Sequence, residues 1–389
     1  MNVTSILDDV CMKIVDCEHK TAPIDESGEY FAVGTPAMRD GIIDFSQARR
    51  VSRATYEQWT RRLTPASGDL LLAREAPVGP IVRIPPEGNV APGQRTVLLR
   101  PDPARVDSTF LYYLLGSPMQ QRRLQERAAG STVAHLNVTD VREFELPALP
   151  DLDGQRAIAD VLGTLDDKIA ANRKVAETAN ELAALMLREC EHAPLIDLVE
   201  HRRSSQMPST SGAARVAHFS LPAFDECESP EIVDPMEIKS SKFRVEAPSV
   251  LISKLNPRFP RIWEIPTVPD IPAYSSTEFL VLEPKYGSTS TLWAALRQPA
   301  VTRQLESMVA GTSGSHQRVK PADLLGVNVP DVRSIDDRTR SAIEGLSGVI
   351  HSARRESQNM TTLRDALLPR LMSGELRVRD AEKSLEQVL

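Results

Sequence analysis

DLDGQRAIADVLGTLDDKIAANRKVAETANELAALMLRECE, residues 151–191, is the stretch from which the rest of the chain can be read. It follows Pro147 and Pro150 and contains no proline before Pro194. Ile158, Leu162, Leu165, Ile169, Asn172, Ala176, Ala179, Ala183 and Met186 recur at alternating steps of four and three. That spacing is one seam of a helix that packs against another helix. Asp151 or Asp153 can cap its start, and acidic residues gather in its first half, where the helix dipole favours them. At about 1.5 Å per residue, roughly 35 helical residues make a rod on the order of 50 Å long. A rod of that length needs a partner.

Residues 338–372, RTRSAIEGLSGVIHSARRESQNMTTLRDALLPRLM, supply one. Ile343, Leu346, Ile350, Ala353, Met360, Leu363 and Leu367 share a face. An offset of 181 (350 minus 169) sets Ile169 on Ile350, Leu162 on Ile343, Leu165 on Leu346 and Leu182 on Leu363. Either helix alone is a generic coiled coil; the shared offset predicts a duplicated unit.

The segments between the helices repeat as well. Glycine and proline separate short apolar runs at Tyr30–Val33, Leu70–Ala73, Ile81–Ile84 and Val97–Leu99, which read as strands, and Ile6–Val15 reads as a short amphipathic element. Residues 108–128 read as a helix interrupted near Pro118. Ser249–Lys254 answers Asp69–Arg74, and Phe279–Pro284 answers Thr96–Pro101. AGTSGSHQRVKPADLLGVNVP, residues 310–330, answers AGSTVAHLNVTDVREFELP, residues 129–147. The offset of 181 places Gly311 on Gly130 and His316 on His135, then slips to 183 so that Pro330 meets Pro147. The expected fold is two tandem mixed α/β (α+β) domains, each followed by a long helix, with the two helices packed on each other as a coiled coil. The expected segments are 1–150, 151–192, 193–334 and 335–389.

With 389 residues, 41% hydrophobic and 25% charged, the chain has the composition of a globular protein of two or more domains. It lacks an apolar run long enough to span a bilayer, and MNVTSILDDV has no signal-peptide character, so a cytoplasmic protein is expected. Cys11, Cys17, Cys190 and Cys227 have neither CxxC pairing nor histidines at ligand spacing, and read as reduced thiols without metal. The net charge of −7 weighs against a polyanionic partner, but it is unevenly placed: residues 151–192 carry 5 basic and 9 acidic residues. The larger segments are close to neutral and hold local arginine clusters, which leaves a nucleic-acid reader with an acidic spacer open.

GSTVAHLNVTDVREFELP leading into LPDLDGQRAIADVLGTLDDKIAANRKVAETANELA, together with VLISKLNPRFPRIW, resembles the specificity (S) subunit of type I restriction-modification systems over essentially the whole chain. The resemblance implies two target-recognition domains, each reading half of a split site on double-stranded DNA, with the helices as an antiparallel spacer. It implies methyltransferase subunits as partners, two of them, and restriction subunits where these are encoded. No cofactor is expected on this chain: S-adenosylmethionine belongs to the methyltransferase, ATP and Mg to a restriction partner. A duplicated reader around an antiparallel helix pair has pseudo-twofold symmetry, like the halves of a DNA-binding dimer.

Candidate DNA contacts follow. Arg49, Arg50, Arg53, Arg61 and Arg62 suit phosphates, or else form a solvated face. Arg74 and Lys254 end matched strands. Lys254, Arg258 and Arg261 cluster in KLNPRFPR, where Pro257 and Pro260 stiffen the loop and arginine can read guanine bidentately. Ser131, Thr132, His135 and Asn137 in the first Gly-Ser-Thr loop, and Ser315, His316 and Arg318 in the second, either face DNA or buttress the helix junction. Leu162, Leu165, Ile169, Ile343, Leu346 and Ile350 are assigned to spacer packing.

Two enzyme-like strings are set aside. Asn256-Pro257-Arg258-Phe259 approaches the Asn-Pro-Pro-aromatic motif of amino-methyltransferases, but its third residue is arginine and no glycine-rich turn precedes it. Pro269-Asp270 with Glu283-Pro284-Lys285 matches a loose Mg-nuclease pattern that the first copy does not reproduce. The expected protein is a non-catalytic reader. The alternatives are a nuclease built on the second domain and a coiled-coil scaffold without DNA binding.

Overall fold

The computed structural model describes residues 5–39, 41–129, 134–308 and 317–386. Its principal elements, in chain order, are strands β1 (Cys11–Asp16), β2 (Leu70–Arg74), β3 (Val78–Arg83) and β4 (Thr96–Pro101), helix α1 (Ser108–Gly116) and the long helix α2 (Leu152–Met186). The plan then repeats with β5 (Val199–Arg202), α3 (Leu221–Cys227), β6 (Ser249–Ser253), β7 (Ile262–Ile265), β8 (Phe279–Pro284), α4 (Thr289–Leu296) and the second long helix α5 (Asp337–Met372). Two compact units divide the chain: residues 1–168 with 360–389, and residues 169–359. Each unit therefore owns part of both long helices.

In the first unit the main sheet has the order β1-β4-β2-β3 and is antiparallel throughout. Leu71 pairs with Leu98 on one side and Val82 on the other. All five residues of β2 are buried, because α1 packs on the sheet and a second small sheet packs near it. That second sheet places Tyr30–Val33 between Arg49–Val51 and Val90–Pro92. The apolar runs are continuous rather than alternating for this reason: a strand covered on both faces has no solvent side. Residues Ile6–Val15 are not one amphipathic element. Leu7–Val10 form a single helical turn, after which β-branched Ile14 and Val15 pair along β4. The helix expected over 108–128 is two helices, since Ser117 is extended (ψ 146°) and Pro118 opens the second.

The second unit has the same sheet, in the order β5-β8-β6-β7, with Leu251 between Val281 and Trp263. Its core joins Leu198, Ile252, Leu282 and Trp293 to Ala179 and Ala183 of α2 and to Ile343 and Ile350 of α5.

The long helices carry the seam read from the sequence. Ile158, Leu162, Leu165, Ala179 and Ala183 of α2 are buried, as are Ile343, Ile350, Ala353, Met360 and Leu367 of α5. Ile169 and Leu346 are half-buried. Asp166 meets Arg364 at 2.8 Å, and Asn172 donates to Glu356 at 2.8 Å. The contacts recede along α5 as they advance along α2, so the helices run antiparallel. Asn172, the polar break in the seam, is buried with its amide satisfied.

Candidate nucleic-acid interface

Each unit builds the same small arrangement where its inner strand ends. In the first, the Arg74 carbonyl accepts from the Leu136 N–H at 2.9 Å, and Glu75 bridges to His135. In the second, the Lys254 carbonyl accepts from the Val319 N–H at 3.0 Å, and Leu255 bridges to Arg318. Both units thus lay the chain that leaves the Gly-Ser-Thr loop beside the β2–β3 or β6–β7 hairpin. His135 accordingly corresponds to Arg318, at an offset of 183, and not to His316. The slip from 181 occurs inside the loop, where insertion does not disturb the ladder. Ser131, Thr132, Ser315 and His316 lie outside the described residues.

The chemistry at these equivalent places differs. Arg74 is not a surface residue: it is 8% exposed. Its guanidinium donates to the Leu136 carbonyl at 2.9 Å, lies 3.3 Å from the Asp16 carboxylate and reaches His19 Nδ1 at 3.3 Å. His19 Nε2 sits 2.9 Å from Asp16. Arg74 is therefore a clamp inside the first unit, and the expected DNA contact there is corrected to a structural one. Asp16, Cys17 and His19 bring ligand-type atoms within 4.8 Å of one another, but the guanidinium stands among them and opposes a cation.

In the second unit that clamp loses its acid. Arg202 pairs with Val281 as Val15 pairs with Leu98, so Arg203 follows in the place of Asp16. Lys254 stands in the place of Arg74. Arg203 donates to His201 Nδ1 at 3.2 Å, and no carboxylate among the described residues pairs with Arg203 or Lys254. Burial, and then the charges of Arg203 and Lys254, hold the His201 imidazole below its ordinary pKa. Two cations that form no ion pair among the described residues, beside a histidine, suit an anion. The sequence reading missed Arg203. A bulge between Cys11 and Lys13 shifts the alignment of β1 with β5, and only the strand pairing shows it.

The remaining candidates divide in two. Arg258 is exposed and forms no ion pair among the described residues. Arg261 donates twice to Asp225 of α3, at 2.6 and 2.7 Å, and braces the hairpin. Arg318 pairs with Glu278 at 2.8 Å while its side chain stays 63% exposed. Asn137 precedes the short helix Val138–Arg142, and its N–H donates to Asp140 at 2.9 Å. Arg53 opens the helix Arg53–Trp59 away from the hairpin and pairs with Glu57 at 2.9 Å. Arg61 and Arg62 share Glu18. Glu283, part of the nuclease-like string, accepts from Arg202 at 2.9 Å within the sheet.

A family model described as "Type I restriction modification DNA specificity domain" matches residues 5–181. Over those residues the chain is similar to the type I restriction-modification specificity subunits. Over 367 residues it is 20% identical to "Type I restriction enzyme MjaIX specificity subunit" of Methanocaldococcus jannaschii, covering 85% of this chain and 83% of that one. A shorter match, 35% identical over 92 residues, joins it to "Putative type I specificity subunit S.MgeORF438P" of Mycoplasma genitalium; it spans 22% of this chain and 24% of that protein's length. The crystal structure of a type I restriction-modification S subunit from M. genitalium superposes with a TM-score of 0.59 at 16% identity, covering 95% of both chains, and shares the fold. No helix among the described residues is long and apolar enough to cross a membrane.

Proposed function

We propose that this chain is a specificity subunit that reads a bipartite site on double-stranded DNA, one half with each unit, and positions methyltransferase subunits over it. The observation that carries this reading is the repetition of one hairpin arrangement with different chemistry. The first unit's hairpin carries Ala76–Pro77 and an Arg74 buried beside Asp16, and the second's carries Arg258–Phe259 and Lys254. A duplicated scaffold with unlike reading tips suits a target with two unlike halves, and the long helices suit an unread spacer. Phosphate contacts fix the register, and base contacts at the tips carry the sequence information.

Helix α2 supports the second task. Ala171, Val175, Thr178, Leu182 and Leu185 form a further, largely apolar stripe at steps of four and three, and Val175, Leu182 and Leu185 are 46%, 47% and 60% exposed. The buried seam has the same period, so the fitting occupant is a helix, here one from a methyltransferase subunit. Two such subunits match the duplication, with restriction subunits joining them. S-adenosylmethionine is then the methyltransferase's cofactor, and ATP and Mg those of the restriction subunit.

The test is the methylated motif in cells carrying this chain with its methyltransferase partner. Replacing residues 193–334 by the corresponding domain of another family member is expected to change one half of the motif and leave the other. A chimera that alters both halves overturns the modular reading, and a wild-type complex that methylates no defined motif overturns DNA reading itself.

A further inference from the structure

Asn256-Pro257-Arg258-Phe259 has no catalytic context, yet the fold holds it with care. Among the described residues Phe259 is the most exposed large apolar side chain, at 71%. Isolated apolar residues at a surface are ordinary. This one differs in how it is presented. Asn256 takes the left-handed conformation (φ +54°), which asparagine tolerates better than most side chains. Its N–H donates to the Gln317 carbonyl at 2.9 Å, and its carbonyl accepts from the Phe259 N–H at 3.0 Å, closing the turn. Pro257 is buried beneath the tip, and Ser253 Oγ accepts from the Leu255 N–H at 3.0 Å. The bidentate Arg261–Asp225 pair ties down the far side. A loop so pinned loses little entropy when its tip is engaged.

The neighbours say what engages it. Arg258 is exposed beside Phe259, and Lys254 at the base of the same hairpin forms no ion pair with a carboxylate among the described residues. A two-stranded hairpin fits the major groove of B-DNA. There an arginine finds guanine O6 and N7, and an apolar side chain finds the 5-methyl group of thymine. The minor groove offers no methyl group and a poorer donor and acceptor pattern. In the first unit the equivalent tip, Ala76–Pro77, follows a ladder that continues to the Arg74–Val78 pair, and it carries no aromatic ring.

Resting on the reading of the second unit as a half-site reader, we infer that Phe259 is a specificity-determining residue that packs on the 5-methyl group of a thymine in that half-site. The full chain with its methyltransferase partner first defines the methylated motif. Binding is then measured to duplexes in which each thymine of the second half-site, on either strand, is replaced singly by uracil, which removes the methyl group alone. At one position uracil is expected to weaken wild-type binding about fourfold, the worth of one buried methyl group. F259A is expected to lose at least as much on the thymine duplex and to be indifferent to uracil there, whereas F259L keeps part of the discrimination. Because the ring is exposed, these variants are expected to keep the wild-type circular dichroism and melting temperature. A half-site without thymine, wild-type binding indifferent to every uracil, or an F259A loss that is equal on thymine and uracil duplexes, overturns the inference while leaving the DNA-reading function intact. If the wild type methylates no defined motif, the underlying reading fails first.

Discussion

Ser347 of α5 donates a hydrogen bond at 2.7 Å to Glu264, a 4% exposed carboxylate on β7. Thr289 and Ser290, at the start of α4, donate to its other oxygen at 2.9 and 2.7 Å, and His351 Nε2 lies 3.0 Å away. One buried acid thus joins the main sheet of the second unit, the helix that packs on it and the long helix. Burial pushes its pKa up, but His351, Ser347 and Ser290 together more than offset this and hold it below the usual 4.5.

E264A leaves three hydroxyls and an imidazole without their acceptor in the interior, and should cost about 3–5 kcal/mol of stability in urea denaturation. E264Q, which keeps the shape, should cost about 2 kcal/mol at neutral pH. A carboxylate with a depressed folded pKa stabilises above its unfolded value and loses that contribution as pH falls through the folded one. The gap between wild type and E264Q should therefore be full above pH 4.5 and narrow below it. A gap independent of pH would mean that Glu264 is not ionised in the fold.

The first unit fills the equivalent positions differently. At the position equivalent to Ser347 stands Asp166, which accepts from Tyr113 at 2.6 Å and from Arg364 at 2.8 Å. At the position equivalent to Glu264 stands Arg83, whose guanidinium lies over the Tyr112 ring at 5.1 Å. D166N should cost about 2 kcal/mol, and Y113F about 1 kcal/mol. Burial, then Asp166, pushes the Tyr113 phenol above its ordinary value of 10.0. Its contribution is complete below pH 10 and declines above it, as the unfolded phenol ionises first. Alkaline denaturation of Y113F should accordingly be less steep than that of the wild type.

The unlike clamps separate fold from binding. R74A should destabilise the first unit by about 3 kcal/mol, because it leaves Asp16 partly buried without its cation. K254A and R203A should leave stability nearly unchanged and weaken DNA binding alike for all sequences, each lowering the slope of log affinity against log salt by about 1. R203D restores the acid that the first unit has at Asp16, and should weaken binding further than R203A. Affinities at several salt concentrations decide this; an unchanged slope in K254A and R203A removes the anion site.

Arg258 has no other structural task among the described residues. R258A should weaken binding by about 1–3 kcal/mol and relax one position of the half-site read by the second unit, with melting unchanged. Methylome sequencing of cells carrying the variant reads both effects. A motif identical to that of the wild type would return the residue to the solvated surface.

Local regularities were legible in the residues alone. The seams from Ile158 to Met186 and from Ile343 to Leu367 named the two long helices, because a seam buried along a rod must repeat with the rod's own period. The offset of 181 from Ile169 to Ile350 revealed the duplication, because two copies of a helix can diverge in side chains without losing phase. The strand cores at Leu70–Ala73 and Phe279–Pro284 were visible as apolar runs between turn residues. The partners of polar side chains needed the tertiary structure. Arg74 and Lys254 look alike at the ends of matched strands, yet one is buried against Asp16 while the other forms no ion pair among the described residues. What separates them is Asp16 against Arg203, some fifty residues away along the chain and displaced by a bulge. The pairing of His135 with Arg318, rather than His316, likewise follows from the ladder beside the hairpin, because a loop can lengthen at no cost to pairing while a strand cannot slip by one residue without turning its side chains over.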